Sequence, residues 1–128
     1  MSRAVVTIMS TSDTAIDAST WDASVRAAPF LESEYLETLR GNPPVRSPGG
    51  AWLEWASHQA YTTVEVTLAD ETGKPPNTPQ RAFHAWEVAV TVHGRDGWID
   101  QPPAEAVFVT LSRSDPGAPW KVADVTSR

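Results

Sequence analysis

Residues 58–69, HQAYTTVEVTLA, decide the fold, because here the chain stops repeating at a helical period and starts repeating every second residue. Ala60, Thr62, Val64, Val66 and Leu68 fall on one side, and Tyr61, Thr63, Glu65 and Thr67 on the other. That alternation, rich in β-branched residues, predicts a half-buried strand. Downstream the pattern recurs in RAFHAWEVAVTVHG (81–94), AEAVFVTLSR (104–113) and APWKVADVT (118–126). The intervening DETGKPPNTPQ (70–80), RDGWIDQPP (95–103) and SDPG (114–117) carry turn residues at hairpin-like lengths. Four antiparallel strands are therefore expected in the second half of the chain.

Upstream the period is helical. In AVVTIM (4–9), Ala4, Val5, Ile8 and Met9 share a face, and so abrupt a start leads us to expect a natural chain that continues upstream. STSDTAIDAST (10–20) reads as a linker, since Ser, Thr and Asp compete for backbone hydrogen bonds. Within DASTWDASVRAAPFLESEYLETLRG (17–41), Ser19 and Asp22 stand as a cap pair, and Trp21, Val25 and Ala28 recur along one helical face. Pro29 stops that helix. A second helix then carries Leu31, Tyr35, Leu36 and Leu39 on one face and ends near Gly41. GNPPVRSPGGA (41–51) is a loop, and Trp52 and Trp55 beyond it fit a helical turn as well as a strand lead-in.

Helices first and strands afterwards argue for an α+β domain spanning residues 1–128, with N-terminal helices on one face of a strongly curved four-stranded antiparallel sheet. Trp21, Leu31, Tyr35, Leu39 and Trp86 are the expected helix–sheet core. The six Trp are expected to be its main anchors, given the area each ring can bury.

Composition narrows the function. The net charge is −6 and the ten Lys and Arg are scattered singly, which disfavours direct nucleic-acid binding and an anionic membrane surface. No apolar run is long enough to span a bilayer. There is no Cys, hence no disulfide, thiolate ligand or cysteine nucleophile.

Catalytic signals are weak. His58, His84 and His93 lack metal-site spacing; His84 shares the face of Trp86 and Val88, where it is either a general base or a core histidine. The carboxylates at 32–34 and 70–71 read as solvated, and Asp13, Asp17 and Asp22 as turn and cap residues. No nucleophile elbow, phosphate loop or calcium loop is present, so no catalytic, cofactor-binding or metal-binding residues are assigned and no cofactor is expected. Trp52 and Trp55 could form a sugar or peptide platform or pack in the core. Trp98 and Ile99, with Pro102 and Pro103 beyond them, sit between turn signals, where the ring either folds back or presents a partner contact.

Taken together, the pattern resembles the nuclear-transport-factor-2-like (cystatin-like roll) superfamily. More narrowly, residues 12–39 with their Asp13-Thr14 pair, the VRAAPFL bend at 25–31 and the closing Trp120-Lys121-Val122 resemble extracytoplasmic domains of Gram-positive conjugative-transfer proteins. Those domains are similar to the inner-membrane scaffold subunit of type IV secretion systems. The resemblance implies a noncatalytic assembly domain that contacts other secretion subunits, self-associates weakly, and sits outside the cell membrane behind an upstream anchor. A native start at Met1 would instead favour a cytoplasmic protein. The alternative is a roll-fold enzyme of the ketosteroid-isomerase or polyketide-cyclase type, with His84 or a buried Asp as base and Tyr35 or Tyr61 polarising a carbonyl. Against it, the inward residues are mainly Val, Ala and Trp, which predicts a filled pocket covered by the bent helices.

Overall fold

The computed structural model describes residues 1–44, 49–69 and 74–127. Residues 45–48 of the first expected loop and 70–73 of the second, with the carboxylates at 70 and 71, lie outside them. The helices are α1 (Ser2–Ser10), α2 (Thr20–Arg26), α3 (Ser33–Gly41) and α4 (Gly50–Ser57), with a 3-10 turn at Ala28–Phe30. The strands are β1 (Tyr61–Leu68), β2 (Arg81–His93), β3 (Ile99–Asp100), β4 (Glu105–Ser112) and β5 (Lys121–Ser127). The α+β class and the segregated order of elements stand as expected, with one strand more than anticipated.

The strands form an antiparallel sheet in the order β1-β2-β4-β5, with the short β3 on β2. Register follows the alternation: Val64 faces Val90, Val66 faces Val88, and Trp86 faces Val107. Between β4 and β5 the pairing shifts at Thr110 and Leu111, so that Val122 and Val125 both join the core although they are an odd number of residues apart.

The helical half is built from local rules. Ser19 caps α2 by accepting from the Trp21 N–H at 3.3 Å, and Asp22 answers by accepting from the Ala18 N–H at 2.6 Å. The chain tightens into the 3-10 turn at Pro29, and α3 restarts with the Glu32 side chain capping the Glu34 N–H. Asp13 and Asp17 cap the turn between α1 and α2, as their spacing predicted.

Two packing expectations are corrected. The bent helices do not cover the sheet: α1 does, burying Ser2, Val5 and Val6, whereas α3 buries no residue fully and meets β5 at the sheet's margin. The Trp rings are not the centre of the core either. The most buried large side chains are Val5, Val6, Val92, Val109 and Val122, and of the six Trp only Trp52 is buried. A close-packed layer between a short helix and a sheet favours compact β-branched residues over bulky rings. The indoles sit half-buried around it, where their N–H groups find acceptors: Trp21 donates to the Leu39 carbonyl at 3.0 Å and Trp86 to Ser2 Oγ at 3.1 Å. Leu31 belongs to the core, with Tyr35, Leu39 and Trp86 half-buried against it.

Candidate functional site

A concavity of about 720 Å³ opens where α1 stops covering the sheet. Its floor is Val88 and Val90 of β2 with Val107 of β4, and its walls are Met9 at the end of α1 and Trp55 of α4. Ser10, Ser12 and Thr62 line one side, but their polar groups are partly engaged with one another: Thr62 Oγ1 accepts from the Ser12 N–H at 2.8 Å and donates to the Ser10 carbonyl at 3.1 Å. The lip is formed by residues 100–103. Prolines at 102 and 103 cannot donate to a ladder, which confines β3 to two residues and leaves the lip unpaired beyond it. The expectation of a filled pocket is thus corrected. Among the described residues, the charged side chains on the lining are both carboxylates, Asp100 and Glu105, and no Lys, Arg or His lines it.

Beside the lip, the β2–β3 turn is fastened to the start of β1. Arg95 pairs with Asp13 through both guanidinium nitrogens at 3.0 and 2.8 Å, donates to the Gln59 carbonyl at 2.7 Å and lies 5.1 Å over the Tyr61 ring. Its hydrogen bonds hold the Asp13 carboxyl below the ordinary carboxylate value. His58 Nδ1 lies 2.7 Å from Asp96 Oδ2 and lowers that carboxyl's pKa in the same way. Two glycines make the turn possible. Gly97 has φ +93°, and a Cβ on Gly94 would lie 2.6 Å from Asp96 Oδ1 and 2.9 Å from Trp98 Cβ. Gln59 takes the left-handed conformation, φ +51°, without being glycine.

This fastening places the expected partner contacts. Trp98 folds back: its ring stacks on His58 at 4.3 Å and 6°. Pro103 is exposed and Pro102 half-buried on the lip, whereas Ile99, 62% exposed, pairs with His93 and so lies on the other face of the sheet. The Trp98 ring and the lip are brought together, but only the lip borders the cavity.

The histidines are held elsewhere. His84 Nδ1 lies 2.6 Å from the Oγ of Ser2, itself 2% exposed, and edge-on to Trp86. His93 stacks on Tyr61 at 5.1 Å and contacts Thr63 Oγ1 at 2.7 Å. Tyr35 packs at the β5 margin, where burial first and the Asp124 charge second push its phenol above the ordinary value. Neither Tyr35 nor Tyr61 reaches the cavity. Among the described residues, no group of three or more His, Asp and Glu is placed to hold a metal, and no helix is long and apolar enough to cross a membrane.

Sequence reasoning missed the cavity and Arg95. The paired prolines after IDQ were the available signal for the first; an Arg two residues before Gly97 in a hairpin turn carries none for its distant Asp13 partner. Comparison with family models, curated proteins and solved structures finds no match to this chain.

Proposed function

We propose that this chain is a noncatalytic assembly domain acting through protein–protein contacts, as in the conjugative, type IV secretion-like envelope machines whose scaffold domains its sequence resembles. On this reading the fold is a nuclear-transport-factor-2-like roll, its partners are other subunits of the machine, and it stands on the extracytoplasmic side of a membrane reached through an upstream anchor. One observation carries the binding role: an apolar cavity whose lip offers exposed Pro103 and whose charged lining, among the described residues, is acidic. Such a mouth suits an apolar side chain from a partner segment that also bears positive charge. The histidines support the noncatalytic part, because His58, His84 and His93 are each bonded or stacked outside the cavity.

The test is a photo-crosslinker at Pro103 in the native cell. The expected product is a covalent adduct with an envelope-machine subunit, lost when Val90→Trp fills the cavity floor while the chain stays folded. Recovery of no such partner defeats the reading.

The roll-enzyme reading has one observation in its favour, the cavity volume, which falls in the range of small-molecule sites. Among the described residues its base would then be Asp100 or Glu105, since no histidine lines the space. A bound metabolite whose turnover vanishes in Asp100→Asn or Glu105→Gln would replace the assembly role by this one.

A further inference from the structure

The sheet has two outer edges, β5 and β1, and in both the described residues pair with the beginning of the strand. Along β5, the Leu31 backbone bridges to Val122, the Glu32 N–H donates to the Val122 carbonyl at 2.8 Å, and Lys121 Nζ donates to the Pro29 carbonyl at 2.8 Å. Along β1, residues 12–14 cover the beginning: the Thr62 N–H donates to the Ser12 carbonyl at 2.8 Å and the Thr14 N–H to the Ala60 carbonyl at 3.0 Å. Beyond Thr62 nothing among the described residues pairs with that edge.

The same bonds show which backbone groups are left over. In an antiparallel strand the N–H and C=O of one residue point to the same side, and successive residues alternate. Ala60 and Thr62 point outward to residues 12–14, while the Ala69 N–H points inward to the Ala85 carbonyl at 3.1 Å. Val64, Val66 and Leu68 therefore present both groups to the open edge. At its end Leu68 is 73% exposed, an apolar side chain on the same strand side as buried Val66. Native edges are blunted by Pro, charged side chains, a bulge or a covering segment; residues 63–68 carry no Pro or bulge and a single charge, Glu65.

We infer that the β1 edge is a self-association site, on which a second copy of this chain lays its own β1 antiparallel to extend the sheet. This rests on the assembly reading and names one of its partners. Self-complementarity selects the occupant and the register. With Val66 opposite Val66 of the second copy, Val64 stands opposite Leu68 and the outward groups of all of these residues are satisfied. Leu68 is then covered by Val64 on one face, and Glu65 stands opposite Thr67 on the other. The competing register centred on Glu65 puts the two glutamates face to face and asks for Thr62, which Ser12 already holds. The acidic chain thus avoids its one like-charge clash by adopting the register that also forms most hydrogen bonds.

The experiment is sedimentation equilibrium on the full chain, with amide exchange read residue by residue as concentration rises. The expected result is a concentration-dependent dimer in which Val64, Val66 and Leu68 amides gain protection. Leu68→Lys, on an exposed side chain, and Val64→Pro, at an N–H with no partner among the described residues, should each raise the dimer dissociation constant about tenfold or more. Thr67→Glu should weaken the dimer and Thr67→Lys strengthen it, through Glu65 of the other copy. A chain that stays monomeric at every concentration, or a dimer indifferent to Leu68→Lys and Val64→Pro, overturns the inference. Either outcome leaves the Pro103 crosslink unaffected, and loss of that crosslink leaves the dimer unaffected, so the two failures are distinguishable.

Discussion

α1 and α3 are each nine residues long and each turns an apolar stripe toward the sheet, yet they do different jobs. α1 lies across β1, β2 and β4 and seals Val5 and Val6 to 0% and 1% exposure. α3 meets the sheet chiefly at β5 and leaves Tyr35, Leu36 and Leu39 half-buried. The difference shows that an amphipathic pattern states which side of a helix is buried and leaves open how deeply. Depth follows from position: a helix over the middle of a sheet is enclosed from both sides, and one at its margin keeps a wet flank. It also shows in side-chain choice, since α1 fills its contact with compact valines and α3 with Tyr and Leu that reach in from the edge.

The sharpest way to break this contrast is to place the same insult in both helices. Val6→Asp puts a carboxylate where no water reaches and no partner waits, at a cost of about 4 kcal/mol or more. That is comparable to the whole stability of an ordinary domain, so loss of the cooperative thermal transition is expected. Leu39→Asp, on the half-buried flank of α3, should leave a folded chain with a lowered melting temperature. Equal damage at both positions would remove the distinction between cover and margin.

A milder pair sharpens it. Tyr35→Ala should cost about 1–3 kcal/mol in urea unfolding, because part of the ring is already solvated. Tyr35→Phe, which removes only the hydroxyl, should cost about 1 kcal/mol or less. A Tyr35→Ala loss as large as that of Val6→Asp would mean that α3 belongs to the core after all.

What could be read in advance follows the same division between local and long-range. β1, β2, β4 and β5 were legible because alternation is a property of neighbours, and the Ser19 cap and the Pro29 break were legible for the same reason. α4 was left open between helix and strand lead-in, since the spacing of Trp52 and Trp55 suits both, and β3 is too short to carry a pattern. Which helix covers the sheet was not legible, because α1 and α3 present similar stripes and only the long-range pairing of Leu31 with Val122 assigns α3 to the edge. The candidate site was less legible still. Its lip residues Pro102 and Pro103 were singled out from turn signals, but the cavity behind them is space left between elements distant in sequence. Trp98 sat in the right loop with its ring committed to His58, a partner some forty residues earlier.

The smallest effect concerns how the exit of α1 is held. Arg95 ties Asp13, just beyond α1, to the β2–β3 turn, so this exposed pair fastens the cover at its end while α3 has Glu32 and Lys121 for the same purpose. The Asp13 carboxyl has a folded-state pKa below its ordinary 3.8, chiefly because Arg95 hydrogen-bonds the charged form. A depressed carboxylate stabilises the fold in full above the unfolded-state value and loses that contribution as pH falls through the folded-state one. Asp13→Asn should therefore be less stable than the parent chain at neutral pH, by no more than about 1 kcal/mol for so solvated a pair. The gap should close as pH drops below about 4, and 1 M salt should narrow it at any pH. Urea midpoints of the two chains across that range measure it. Asp96, lowered by His58, contributes with the same sign in both chains and drops out of the comparison. A gap that persists at low pH would assign the role of Asp13 to its cap on the Ala15 N–H at 2.9 Å instead of to Arg95, leaving the end of α1 held by local turns alone.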